Sequence, residues 1–526
     1  MSAPIHAPLS APLPCAEPDL LTREALAFVK SLTLCFRGSL KALLAEREQA
    51  QAGFDRGGRP GLLRATGPIR QDDWSVAPLP VALMDRRVEI IGPPAPGALA
   101  AALHSGARGA VADFEDRLSP TLDNLVSGQQ TLHRAVRGVL SREVPPGPGS
   151  TALMVRPRGL HLQERHLAVE GEPVPACLFD AGLFLWHNAR EMLARGAVPH
   201  LCLPKLEHHL EARWWNRVLE AVENDLGLPA CCIRTTLAID TLPAAFQMDE
   251  ILHEHRHRAV GLNLGEGCLS SFIRTLGADP AAVTPDRGEG SMAQPFLRAW
   301  TRLLVRTCHR RGCLALGGLC AILPEAGDPD AAAQAARVRA GQEREILDGC
   351  DGTWVAHPAL VPLARAVFDE RMPGLNQLHR IPGPVAETDL LQVPAGPRTG
   401  RGLRQNLRVG IRYLEAWLNG EGSVALYGLL EDAAGAELAR MQLWQWVKHD
   451  VEVAGCGSMD RPLFHWHVQD ALYQIQAEVG DEAFAEGRYL EAADLLETQI
   501  LLPAPPPYLI PAAYDLLMNP VLSEVN

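Results

Sequence analysis

At 526 residues the chain is too long for one ordinary domain, and with 47% apolar residues it can bury a large core. A formal net charge of −13, with no stripe of Lys and Arg, argues against nucleic acid as the main partner. Twelve cysteines without C-x-x-C pairs are too dilute for a disulfide scaffold or structural zinc, and they point to a reducing, cytoplasmic setting.

Residues 1–20 are rich in Pro and Ala, and a disordered start is expected there. This stretch has no basic region followed by an apolar one, so it does not read as a signal peptide. No run of about 18 apolar residues occurs, so no membrane span is expected. A helical pattern covers residues 21–51, followed by the loop FDRGGRPG. From about residue 99 short apolar runs alternate with helical stretches: GAVADFED, ALMVRPRG, HLCLPK, TTLAID, AVGLNLGEG, CLALGGL and GTWVAHP. They are too short for helices and continuously apolar, as strands buried on both faces should be. Strands alternating with helices predict a parallel sheet, and seven repeats suggest a (β/α)8 TIM barrel with one strand hidden. Residues 372–400 read as a Pro/Gly-rich linker. Beyond them Leu403, Leu407, Ile411, Leu414 and Leu418 fall at helical spacing, and LLEDAAGAELARMQLWQWVKH is a second strong helix. The expected division is residues 1–98, an N-terminal segment and helical clasp; 99–375, the barrel; 376–400, the linker; 401–526, a C-terminal helical plug.

The runs end in functional side chains or glycine turns: Asp113, Glu115 and Asp116; Arg156 and Arg158; Lys205; Asp240; Gly265 and Glu266; His357. The C-terminal strand ends of a barrel form one face, and that face carries the active site. His253-Glu254-His255-Arg256-His257 matches the zinc pattern H-E-x-x-H. It runs directly into the strand AVGLNL, however, which places it at the opposite face and favours a solvated helix end. The glycines of NLGEGCLSS lack the full G-x-G-x-x-G pattern, so a phosphate cradle is disfavoured.

DDWSVAPLP, DRRVEIIGP, VADFEDRLSP, VRPRGLHLQERH, LPKLEHHLEARWW, TLPAAFQMDEIL, TCHRRG, DGTWVAHP and LLEDAAGAELAR resemble the successive signature blocks of malate synthases of the A type. The resemblance implies a barrel with an N-terminal clasp and a C-terminal plug. It also implies condensation of acetyl-CoA with glyoxylate in the glyoxylate cycle, followed by thioester hydrolysis. In such an enzyme Asp432 matches the base that takes the methyl proton of acetyl-CoA. Arg156 matches the arginine that stabilises developing negative charge. Pro358 falls at a CoA-binding position, and the backbone at Gly265 and Gly267 falls where glyoxylate is held.

The family's Mg²⁺ ligands lie in the blocks I-E-T-L and G-L-N-C-G-R-W-D-Y. Here the first reads Ile239-Asp240-Thr241-Leu242, with a shorter acid, and the second reads GLNLGEGCLSSF, without R-W-D-Y. Asp240 and Glu266 are therefore the expected ligands of a rearranged Mg²⁺ site. Two alternatives stay open: another 2-oxo acid as acceptor, and a catalytically impaired CoA-binding relative.

Overall fold

The computed structural model describes residues 19–140, 150–289, 294–323 and 331–518. Most of the Pro/Ala-rich start, residues 1–18, lies outside these segments. Eight parallel strands close a barrel: β1 (Val88–Gly92), β2 (Gly109–Asp113), β3 (Ala152–Arg156), β4 (His200–Leu203), β5 (Arg234–Ile239), β6 (Ala259–Leu264), β7 (Leu314–Cys320) and β8 (Gly352–Val355). Neighbours in sequence are neighbours in the barrel, and β8 returns to β1 through the pair Val88 and Thr353.

All seven runs read from the sequence are strands. The hidden eighth is β1, inside the stretch assigned to the clasp, so the barrel starts before residue 99. Its pattern is broken by Glu89, a charged residue in mid-strand. That carboxylate is fully buried and accepts hydrogen bonds from Arg86 Nη2 and Trp354 Nε1, both at 2.8 Å. A buried acid with such partners is tolerable, but it erases the apolar signature that marks the other strands.

Outside the barrel, α1 (Arg23–Asp55) starts at Thr22, whose hydroxyl accepts from the Ala25 N–H at 3.2 Å. Its apolar face, with Phe28, Leu32, Phe36 and Leu40, packs on the barrel helices Ala176–Ala194 and His209–Asp225. An antiparallel hairpin, Gln163–Val169 with Glu172–Pro175, follows β3 and was not legible in the sequence. After β6 the chain turns through Gly265, Glu266 and Gly267 into α2 (Cys268–Leu276).

The linker region is irregular apart from one turn of 3₁₀ helix at Glu387–Leu391. The C-terminal unit contains α3 (Gly400–Leu418), a hairpin of Val424–Leu426 with Leu429–Glu431, α4 (Ala433–Lys448) and α5 (Tyr489–Ile500). The helix α3 ends at Asn419, where Gly420 takes φ of 95°. The hairpin runs straight into α4 and so delivers Asp432 onto the C-terminal face of the barrel. There the Ala433 N–H donates to the Asp116 carbonyl at 3.1 Å.

Candidate active site

The strand ends converge on a buried network of acids and cations. Past β2, Asp113 Oδ1 accepts from the Glu115 N–H at 2.9 Å, which curls the chain and turns Glu115 and Asp116 inward. Arg156, the last residue of β3, is 2% exposed. Its Nη1 donates to Asp116 Oδ2 at 2.6 Å and Asp113 Oδ2 at 3.0 Å, and its Nη2 stands 3.7 Å from Asp240 Oδ2. Its Nε–H is buried without a partner among the described residues. Burial acts against the charge on Arg156, but Asp113, Asp116 and Asp240 outweigh it, and the guanidinium is held well above the usual arginine range. Burial raises the Asp113 carboxyl to about 6, against the pull of Arg156. For Asp116 the opposite holds: burial is outweighed by Lys205 and Arg156, and its carboxyl lies well below the usual range.

Lys205 follows β4 and has a left-handed backbone with φ of 51°, a conformation that costs a non-glycine residue about 1–2 kcal/mol. Its Nζ lies 2.6 Å from Glu115 Oε1 and 2.7 Å from Asp116 Oδ1. Its backbone N–H donates to Asp240 Oδ2 at 2.8 Å.

Asp432 is 2% exposed and is the N-cap of α4, not an acid on a helix surface. Its Oδ1 accepts from the Gly435 N–H at 3.1 Å, and its Oδ2 accepts from Arg117 Nη2 at 2.7 Å. Arg117 Nη2 also lies 3.6 Å from Glu266 Oε1. Burial first, and then the charge of Asp432, push the Glu266 carboxyl well above the usual range.

Two cavities flank the turn at residues 265–267. One, of about 210 Å³, brings Asp432, Glu266 and Gly265 together with Arg287, Gly318 and a lining of leucines. The other holds Asp240, Gly267, Lys205, Glu115, Arg274 and Tyr508. Asp240 lines one of these cavities and Glu266 the other. Gly265 is needed there, because a Cβ on it would overlap Asp240 Oδ1. Pro358 stands just past β8, partly exposed at the same rim, and lines neither cavity. Behind the first cavity, Glu345 is buried against the end of β7, where its Oε1 accepts from the Gly318 N–H at 2.8 Å. Burial raises its carboxyl to about 7.

The H-E-x-x-H match lies at the end of a helix. The helix Met248–Glu254 ends before His257, so the two histidines do not share a helix face, and the His253 ring meets the edge of Trp74 at 5.1 Å. Among the described residues, no group of three or more His, Cys, Asp or Glu side chains could hold a metal. Asp240 and Glu266 remain as a candidate pair of carboxylates, one in each cavity. Asp240 Oδ1 and Glu266 Oε1 are both buried without a hydrogen-bond partner among the described residues. Such oxygens suit a hard divalent cation, which commonly uses one or two carboxylates and completes its shell with waters and substrate oxygens.

The structure brings Arg156, Asp240, Glu266 and Asp432 to the rim, together with Arg117, Arg287 and Tyr508, which the sequence did not single out. Arg117 lay in plain view in DFEDR, where an arginine behind three acids signals a compensating cation. Tyr508 carries no local signal, since it reaches the site from the far C-terminal region.

A parallel barrel whose rim joins buried acids to arginines, with one carboxylate supplied by a capping helical unit, is the arrangement of a barrel enzyme. Family models for malate synthase match along the chain: the N-terminal domain at residues 10–67, the TIM barrel domain at 152–393 and the C-terminal domain at 397–517. A malate synthase from Myxococcus xanthus is 47% identical over 494 residues, covering 92% of this chain and 91% of the relative. A glyoxysomal malate synthase from Cucumis sativus is 43% identical over 519 residues, covering 95% and 91%. A solved complex of Haloferax volcanii malate synthase aligns at 15% identity and a TM-score of 0.46, over 76% of this chain and 98% of that one. The chain belongs to the malate synthase family. Its activity is that of an acetyl-CoA:glyoxylate C-acyltransferase, the condensing enzyme of the glyoxylate cycle. The family is generally Mg²⁺-dependent. Among the described residues no helix is long and apolar enough to cross a membrane.

Proposed function

We propose that Asp432 and Arg156 carry the condensation of acetyl-CoA with glyoxylate. The observation that supports this most is the placement of Asp432. It is a buried carboxylate on the wall of a mostly apolar cavity, held by one hydrogen bond on each oxygen. Each oxygen keeps a second lone pair. With the acetyl group in that cavity, Asp432 takes a methyl proton, and the electron pair moves onto the thioester oxygen as an enolate. Burial of Asp432 in the cavity wall strengthens the charge interactions that it makes.

Arg156 answers the charge that develops. Its Nε–H is an unsatisfied buried donor, and Asp113 and Asp116 fix the plane of the guanidinium, so little reorganisation is needed as negative charge appears. The enolate carbon attacks the aldehyde carbon of glyoxylate, and the new alkoxide takes up a proton. Hydrolysis of the resulting thioester releases malate and CoA.

Asp240 and Glu266 are the residues that would hold Mg²⁺, which would supply polarisation of the aldehyde. The backbone at Gly265 and Gly267 flanks that position and is assigned to glyoxylate, and Pro358 at the same rim is assigned to the coenzyme. Twelve cysteines in 526 residues are too dilute for a disulfide scaffold, and on that ground we assign the enzyme to the cytoplasm.

The test is thiol release by the purified protein from acetyl-CoA, with a panel of 2-oxo acids, with and without Mg²⁺. Release with glyoxylate and dependence on Mg²⁺ are expected. Preference for a larger 2-oxo acid would move the acceptor assignment, and no release with any of them would refute the reading.

A further inference from the structure

Lys205 is a buried side chain that the reaction as described leaves unused. One residue here makes two kinds of contact with the site. The ammonium bridges Glu115 and Asp116 at 2.6 Å and 2.7 Å. Asp116 in turn grips Arg156 Nη1 at 2.6 Å. The backbone N–H of the same residue holds Asp240 Oδ2 at 2.8 Å. The left-handed conformation at φ of 51° lets backbone and side chain serve two different acids. The ring of Tyr508 covers the ammonium, with Nζ 5.3 Å from its centroid.

We propose that Lys205 is a positioning residue that sets Arg156 relative to Asp240. Its ammonium fixes Asp116, and through Asp116 the guanidinium that receives the enolate charge. Its N–H independently fixes the acid on the glyoxylate side. This rests on the functional reading above. The competing account is a buried ion pair that only stabilises the fold. That account predicts a loss of stability with no separation between turnover and metal binding.

Lys205→Gly removes the ammonium, keeps the N–H and tolerates the backbone conformation. Lys205→Gln keeps a filled side chain without the charge. Turnover should fall about 100-fold in both, the effect of misplacing a catalytic group by an ångström or so. The KM for acetyl-CoA and the affinity for Mn²⁺, read by electron paramagnetic resonance of free Mn²⁺, should stay within about threefold, because Asp240 is still held. Millimolar n-butylammonium replaces the missing side chain. It should restore at least about tenfold in turnover to Lys205→Gly and raise its melting temperature, and should do neither in Lys205→Gln.

Turnover within threefold of wild type in either variant overturns the proposal. So does Mn²⁺ affinity falling in step with turnover, or an equal response of both variants to the amine. A wild-type protein that releases no thiol refutes the functional reading instead. The amine-dependent melting of Lys205→Gly then still decides whether an ammonium is held there. Should Lys205→Gly not fold, turnover and Mn²⁺ affinity of Lys205→Gln support or overturn the proposal by the same thresholds.

Discussion

Replacing Asp432 by Asn tests the proposed base with little change of shape. Asn caps a helix about as well as Asp, so the hydrogen bond from the Gly435 N–H at 3.1 Å can persist and α4 keeps its start. What is lost is the charge facing Arg117 at 2.7 Å. A hydrogen bond to a charged group contributes about 1.5–3 kcal/mol, and stranding a buried charge costs more. Here Arg117 is not stranded, because Glu266 and Asp113 lie 3.6 Å and 3.9 Å from it. The charge of Asp432 is also one reason the Glu266 carboxyl is held high, so its removal makes ionisation of Glu266 easier. The net loss of stability should therefore stay below about 3 kcal/mol, a shift of a few degrees in Tm. Turnover should fall by at least about 100-fold, the lower end of what a positioned general base contributes. Thiol release at saturating acetyl-CoA and glyoxylate gives the rate, and calorimetry gives the Tm. A folded Asn variant that turns over within tenfold of wild type would refute Asp432 as the base.

Gly265→Ala would drive a methyl group into Asp240 Oδ1, and turnover should drop at least about tenfold with a measurable loss of Mg²⁺ affinity; unchanged values of both would mean that the turn relaxes freely. Asp240→Ala and Glu266→Ala should each abolish Mg²⁺-dependent thiol release with at most partial rescue by excess Mg²⁺. A silent Glu266→Ala would send the search for the second ligand to Glu115 or Asp116. Replacing His253 and His257 together by Gln should leave turnover within a few-fold, and stoichiometric zinc lost with activity in that variant would contradict the placement of these residues away from the rim. Glu345 has a folded-state pKa of about 7, above its unfolded value, so the folded protein binds the extra proton and the stabilisation is lost as pH rises through about 7. Calorimetric scans between pH 5 and 8.5 should show up to about 3 kcal/mol of this loss in wild type and none in Glu345→Gln.

Much of this architecture was legible because a barrel writes itself in a simple script. Strands buried on both faces are short apolar runs, and the polar residue that ends each run points to the C-terminal rim, where Arg156 and Asp240 stand. What stayed hidden was governed by partners distant in sequence. The strand Val88–Gly92 carries Glu89, whose burial makes sense only once Arg86 and Trp354 are seen around it. The role of Arg117 emerges only when the C-terminal unit brings Asp432 to it, across a separation of 315 residues. The periodicity of α4 located a helix but not its first residue. Asp432 could read as a surface acid until the hairpin before it was seen to point it inward.

The position of Asp432 at the first turn of α4 has a consequence for how this protein can be divided. Neither half owns the whole constellation: the barrel polypeptide holds the arginines, and the proposed base travels with the other piece. A cut in the irregular stretch between Arg371 and Gly400 would yield two fragments, each silent alone. Activity regained on mixing would then report the docking of one piece on the other, with the Ala433 N–H finding the Asp116 carbonyl as the final latch. The catalytic rate becomes a gauge of assembly, readable without any label.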